Sequence, residues 1–200
     1  LGDVYKRQGL AYVNKCMEGV VIIMRYTSHY ISPFGGITLA ADGRGITGLW
    51  FDGQKYFGDT LDKENERREL PVLEEAEKWL DVYFSGKNPG HIPPLHFEGT
   101  SFRRQVWDIL LQIPYGTTIT YGKIARLIAE KRGEGRVSAR AVGGAVGHNP
   151  ISIFCPCHRV VGSNGSLTGY SGGLQKKVAL LTLEHVNMEP FFLPKKGTAL

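Results

Sequence analysis

Hydrophobic positions in the first half of the chain fall in short runs suited to strands. Val20-Val-Ile-Ile-Met-Arg-Tyr26 is apolar and β-branched, Gly36-Ile-Thr-Leu-Ala40 alternates, and Ile46-Thr-Gly-Leu-Trp-Phe51 follows. Such runs predict three strands within residues 19–57. Asp42-Gly-Arg-Gly45 is a turn sequence, so the last two strands should form a hairpin. Residues 59–69 are dominated by charge and read as a solvated loop. Pro71 then stands where a helix accepts proline, in its first turn. Leu73, Ala76, Leu80 and Phe84 recur at helical spacing, and Gly86 ends the run. Lys87 to Pro94, with prolines at 89, 93 and 94, reads as a linker.

Beyond the linker the hydrophobic period is helical. Thr100 or Ser101 can cap a helix whose face carries Phe102, Val106, Ile109, Leu110 and Ile113, and Pro114-Tyr-Gly116 stops it. Thr120 caps a second helix bearing Ile124, Leu127 and Ile128. After the polar Gly133-Glu-Gly-Arg136 loop, Ser138 caps a short third helix, Ala139 to about Val146. Ala139, Ala141, Gly143, Gly144 and Ala145 leave that helix nearly bare, so a neighbour or a nucleic acid can approach closely. Two short helices so connected have the pattern of a helix-turn-helix.

Composition narrows the class. The chain has 200 residues, enough for one large or two small domains. No apolar run approaches the roughly 18 residues of a membrane span, so no membrane partner is expected. Leu1 to Leu10 lacks the apolar core of a secretory leader. Three cysteines, two of them at 155 and 157, make no disulfide framework, and a reducing cytoplasm fits them. Charge is divided unevenly. Residues 1–100 hold 11 Lys and Arg against 14 Asp and Glu, whereas residues 101–187 hold 11 against 4. A basic second half is the electrostatic footprint of phosphate binding, although a solvated basic face would look the same.

Candidate chemistry lies in Asn149-Pro-Ile-Ser-Ile-Phe-Cys-Pro-Cys-His-Arg-Val160. A thiolate is the nucleophilic form of cysteine, and neighbouring cations lower its pKa. A histidine beside it can take the proton once a third group orients the ring. Most cysteines are merely small buried hydrophobes, and Cys155-Pro-Cys157-His158 has neither the haem-attachment nor the redox spacing. On chemistry alone Cys157 is a candidate activated thiol.

Pro156-Cys-His-Arg-Val160 is similar to the active-site motif of the O6-alkylguanine-DNA alkyltransferases, the methylated-DNA–protein-cysteine methyltransferases. Arg140-Ala-Val-Gly-Gly-Ala145 before it, Asn149-Pro150 leading in, and Gly169-Tyr-Ser-Gly-Gly-Leu174 after it extend the likeness, strongly over residues 99–187 and loosely over 19–96. The resemblance implies an α+β fold, with an N-terminal ribonuclease-H-like domain of β-sheet and helix and a C-terminal helical, winged-helix-turn-helix domain. The expected divisions are 1–18, a disordered or vector-derived end; 19–96, the N-terminal domain and linker; 97–187, the DNA-binding alkyltransferase domain; and 188–200, a tail.

The implied activity is single-turnover DNA repair, in which the alkyl group of O6-alkylguanine, with O4-alkylthymine a further candidate, moves onto the protein. Cys157 matches the nucleophile, His158 the base that draws its proton through a water, and Glu184 the carboxylate orienting His158. Asn149 matches the residue bracing the loop. Chemistry on a base inside a duplex requires flipping it out. Arg140 matches the arginine that fills the vacated stack, with its helix in the minor groove. Tyr121 matches the tyrosine that presses on the phosphate beside the target, and Ser163 a phosphate contact. Tyr170 and Ser171 match residues of the base pocket, and Val160 a backbone contact to the base. From the residues alone, Glu184 reads first as an exposed position on the last helix, flanked by Lys177 and Leu180, and Tyr121 reads equally as a core aromatic.

Departures from the family pattern carry expectations too. Position 155 is Cys where an aliphatic residue is usual, so it should be a buried, inert thiol. The loop from Glu130 to Val137 is longer than in many members. Cys16, His29, His91 and His96 do not match the zinc ligands of some members, and neither a metal nor a cofactor is expected. The expected partner is double-stranded DNA containing O6-alkylguanine, bound by a monomer. Rival readings are a lesion-binding relative without chemistry, an alkylation-sensing regulator, and a thiol or metal protein unrelated to DNA.

Overall fold

The computed structural model describes residues 15–17, 20–22, 24–62, 65–133 and 135–194; of the expected end at 1–18, all but residues 15–17 lies outside them. Strand β1 (Lys15–Met17) pairs antiparallel with β2 (Val20–Ile22) as a separate ribbon. The main sheet contains β3 (Arg25–Ser32), β4 (Gly35–Asp42), β5 (Gly45–Phe51) and β6 (Asn65–Arg67), in the order β5-β4-β3-β6. The expected run from Val20 to Tyr26 is therefore divided, and the sheet strand lies later, over Arg-Tyr-Thr-Ser-His-Tyr-Ile-Ser. A sheet with one wet face needs apolar residues on only one side, so Thr27, Ser28 and His29 belong to a strand as readily as Val20 to Ile23. The expected hairpin is present, with Ile37 opposite Phe51 and Asp42 opposite Gly45. Within the charged stretch 59–69, β6 pairs parallel to β3 through its backbone, while its three exposed side chains keep the sheet edge polar.

Helix α1 (Pro71–Phe84) begins at its proline and buries Val72, Leu73, Ala76, Leu80 and Tyr83. Tyr83 takes the innermost place at its C-terminal end, while Phe84 is half-buried against Tyr30 and Phe34. Four more helices follow: α2 (Ser101–Leu110), α3 (Tyr121–Arg132), α4 (Ala139–Gly147) and α5 (Leu174–Leu183). Thr100, Thr120 and Ser138 accept backbone N–H groups at the starts of the first three, as their side chains foretold. Gly133 ends α3 in the left-handed conformation, φ +66°. Strands β7 (Ile119–Thr120) and β8 (Val160–Val161) pair in parallel beneath α3. Residues 188–194 continue the fold, because Phe191 packs on the Val161–Leu167–Leu181 cluster and Phe192 O accepts the Leu167 N–H at 3.0 Å.

The outer edge of β5 joins the two halves. Ile46 donates to Pro94 O at 2.8 Å and accepts from His96 N at 2.8 Å, which pins the linker. Leu49 donates to Pro150 O at 2.9 Å and accepts from Ser152 N at 3.0 Å, which pins the segment leading to Cys157. A continuous core runs from Ile37, Leu39 and Leu80 through Leu49 and Ile151 to Val106 and Trp107. Trp107 donates its Nε1 hydrogen to Ala145 O at 3.0 Å in that core, locking α2 to the second helix of the helix-turn-helix.

Trp107→Phe should keep most of the packing but leave a buried carbonyl unpaired, a loss of about 1–3 kcal/mol. The midpoint of urea unfolding measures it, and an unchanged midpoint would show that this bond does not hold α4.

Candidate active site

Local backbone geometry presents Cys157. Asn149 Oδ1 accepts from Ile151 N at 3.1 Å while its Nδ2 donates to Cys155 O at 2.8 Å, closing the loop around one side chain. Inside it, Phe154 N donates to Ser152 O at 2.8 Å across Ile153, whose φ of +69° is unusual for a β-branched residue. Pro156 follows with φ −81° and ψ 65°, and Cys157 N donates back to Cys155 O at 2.8 Å. Two tight turns in succession thus set Cys157 at the start of a short 3-10 turn, Cys157–Arg159, rather than on an extended strand.

Glu184 caps the end of α5 and is 1% exposed, which settles its orientation inward rather than toward solvent. Its Oε1 accepts from His158 Nε2 at 2.7 Å, Tyr83 Oη at 2.7 Å and Arg159 Nη2 at 2.9 Å. Its Oε2 accepts from Arg159 Nε at 2.8 Å and Gly116 N at 3.3 Å. Gly116 has φ +73°, and a Cβ there would come within 2.9 Å of Glu184 O, so glycine is required. Burial alone would raise the Glu184 carboxyl, but hydrogen bonds and charge from His158 and Arg159 prevail and hold it well below the usual range.

His158 is fully buried, and that burial lowers its pKa against the opposing pull of Glu184. A neutral imidazole donating from Nε2 to a carboxylate carries its lone pair on Nδ1. Nδ1 is buried with no hydrogen-bond partner among the described residues, and the same holds for Ser152 Oγ and Tyr170 Oη. Burial pushes the Cys157 thiol up, while Asn149, the Lys177 ammonium and Ser152 pull it down. Its neighbour in sequence, Arg159, is not the activating cation, because that guanidinium is spent on Glu184 and Ile113 O. Cys155 is completely buried and its thiol is pushed well up, first by that burial and then by Cys157.

Lys177 supplies a charge that sequence reasoning did not assign. Fully buried, its Nζ donates to Val160 O at 2.5 Å, Thr168 O at 3.0 Å and Gly169 O at 3.4 Å. Burial pulls its pKa down to about 8. Tyr121 Oη reaches two of the same carbonyls, Thr168 at 3.1 Å and Gly169 at 3.3 Å, so both residues hold the loop before Tyr170. Tyr83 was also missed; its signal was a hydroxyl-bearing aromatic on an otherwise apolar helix face, which needs a partner when buried.

The structure brings Cys157, His158, Glu184, Asn149, Tyr121, Tyr170 and Val160 together. Ser171 is half-buried, and its carbonyl accepts from Lys55 N at 3.1 Å. Arg140 and Ser163 are exposed, Arg140 in the first turn of α4 and Ser163 on the loop after β8. On α4, a side chain at Gly144 would meet nothing within 4 Å.

Fold and site together define a helix-turn-helix protein built around a buried cysteine with a histidine–carboxylate pair. Two family descriptions match it: 6-O-methylguanine DNA methyltransferase, ribonuclease-like domain, over residues 24–90, and 6-O-methylguanine DNA methyltransferase, DNA binding domain, over residues 101–186. The methylated-DNA–protein-cysteine methyltransferase of Haemophilus influenzae is 38% identical over 180 residues, covering 85% of this chain and 96% of its own. That of Methanosarcina acetivorans is 42% identical over 159 residues, covering 80% and 97%. The crystal structure of Mycobacterium tuberculosis OGT in complex with DNA superposes with a TM-score of 0.66 at 39% identity, covering 84% of this chain and 95% of that one. The chain belongs to the methylated-DNA–protein-cysteine methyltransferase family.

Glu184→Gln should cost about 3–5 kcal/mol, because Arg159 stays buried and loses its countercharge. The pH dependence has a defined sign. Glu184 is depressed below its unfolded value of about 4.3, so its contribution is complete above that pH and is lost as pH falls further. His158 is depressed below about 6.5 and acts in the same direction, since only the unfolded chain takes up its proton. Urea unfolding of the wild type should weaken as pH drops below about 6.5, and in Glu184→Gln the decline below about 4.3 should be shallower. Parallel profiles would show that the carboxylate is not held low.

Proposed function

We propose that this protein repairs DNA by moving the alkyl group of O6-alkylguanine onto Cys157 of its own chain. The observation that carries the reading is the division of His158, the residue after Cys157, with Nε2 engaged by Glu184 and Nδ1 buried without a partner among the described residues and left as the basic nitrogen. His158 Nδ1 takes the thiol proton through an intervening water. The thiolate sulfur attacks the alkyl carbon, a carbon–sulfur bond forms, and the carbon–O6 bond breaks with its electron pair leaving on guanine. Glu184 steadies the imidazolium that results, as the acid does in other Cys-His-acid sites. Tyr170 Oη and Ser152 Oγ, both buried without a partner among the described residues, are free to donate to the polar edge of the base, and a donor to the departing guanine assists its release. The thioether has no route back to a thiolate in this site, so each molecule acts once.

The target base must leave the stack to reach a thiol only 2% exposed. Arg140 stands exposed at the start of α4, suited to fill the gap, and the bare face around Gly144 suits close contact in a minor groove. Ser163 takes a phosphate, Tyr121 presses on the phosphate next to the target, and the protein acts as a monomer. A lesion-binding role without chemistry is disfavoured by the presence of Cys157 in this setting.

Incubation with a duplex containing O6-methylguanine should add one methyl to the intact mass and then stop. Peptide mapping should place it on Cys157; a methyl on Cys155, or sustained turnover, would overturn the assignment. Arg140→Ala should slow duplex repair by about tenfold to a hundredfold, the rate equivalent of one to three kcal/mol of unstacking no longer offset. Reaction with the free alkylated base should barely change, and equal losses on both substrates would make Arg140 structural.

A further inference from the structure

The turn between α3 and α4 holds a feature that the reaction leaves unused. Arg126 on α3, Arg136 in the turn and Arg140 on α4 line one groove of about 670 Å³. All three arginines are exposed, and their guanidinium groups have no hydrogen-bond or ion-pair partner among the described residues. Arg132, six residues further along α3, is different: its Nε donates to Gln105 Oε1 at 2.8 Å and its guanidinium lies over Phe102, so it faces α2. The groove is floored by small residues, among them Gly122, Ala125 and Ala129. Neither a carboxylate nor an aromatic ring lies among the described residues that line it.

We infer that this groove binds the sugar–phosphate backbone of duplex DNA, with Arg126 and Arg136 each neutralising one phosphate beside the point where Arg140 enters. The inference rests on the DNA-repair reading above and adds two residues and a second contact to it. Three guanidiniums without a partner among the described residues, set around an open channel, match a chain of phosphates, for which arginine offers a forked pair of donors. The small floor lets a strand lie close, and without a ring to stack on, the groove is unsuited to hold an unpaired base. Continuity with α4 places it on the DNA-facing side of the motif. The turn after Arg132 supplies Arg136, which gives it a purpose: a longer footprint on the backbone without base reading.

The test is the salt dependence of binding to a fluorescent duplex that carries no lesion, measured by anisotropy between 50 and 200 mM NaCl. Each phosphate contact contributes about 0.9 to the slope of log K against log salt, so Arg126→Gln/Arg136→Gln should flatten it by about 1.8. Each single variant should flatten it by about half as much. The same variants should transfer a methyl from free O6-methylguanine base at the wild-type rate. An unchanged slope would overturn the groove as a backbone site, and so would an equal loss of free-base reaction, which would mean that the arginines support the fold. If the single variants fold and the double does not, the singles decide. Failure of the wild type to gain a methyl from a lesion-bearing duplex would instead remove the repair reading, leaving the binding result to be judged separately.

Discussion

The carboxylate of Glu184 is the point on which the site depends. It collects hydrogen bonds from Tyr83 at the end of α1, from Gly116 after α2, and from His158 and Arg159 beside Cys157. A buried anion is costly unless every lone pair is met, and here four residues from three separate stretches of chain meet them. The same contacts perform two tasks. They tie the N-terminal helix to the C-terminal domain, and they leave His158 with one defined basic nitrogen. Stability and reactivity are therefore coupled through a single group.

The second constraint is the edge of β5. An unpaired strand edge is a liability, and this one is covered by the linker at Ile46 and by the loop before Cys157 at Leu49. The N-terminal domain, which contributes no group to bond making, thus supplies the rail on which the reactive loop is laid. Asn149 and the two tight turns need only bend a chain whose start is already fixed. This division explains why an acidic domain of −3 and a basic one of +7 are retained together: one braces, the other meets the nucleic acid.

Burial of the thiol has a cost and a consequence. Desolvation raises the pKa of both cysteines. What distinguishes Cys157 is its company: the amide of Asn149, the hydroxyl of Ser152 and the ammonium of Lys177 favour its anion, whereas Cys155 has the buried surroundings of a core residue. Lys177 also grips the carbonyls of Val160, Thr168 and Gly169, so the charge that favours the anion is held by the loop that carries Tyr170.

Local sequence determined a good deal of this protein. Caps at Thr100, Thr120 and Ser138, the proline at 71 and the turn at 42–45 act over a few residues, so their structures follow from nearest neighbours. The thiol and histidine are adjacent in the chain, and the motif around them was legible together with its family. Three things were decided only by tertiary structure. The strand at 25–32 depends on which side of a sheet faces water, which an isolated stretch cannot know. The orientation of Glu184 depends on Tyr83, 101 residues earlier, and on Arg159, whose charge reads locally as an activator of Cys157 but is drawn to the carboxylate instead. Lys177 would be a solvated lysine by composition, and becomes a buried charge because three carbonyls, one on β8 and two on the loop after it, converge on it. Short-range geometry is written in neighbouring side chains, whereas the balance between burying a charge and pairing it is settled only when distant segments meet.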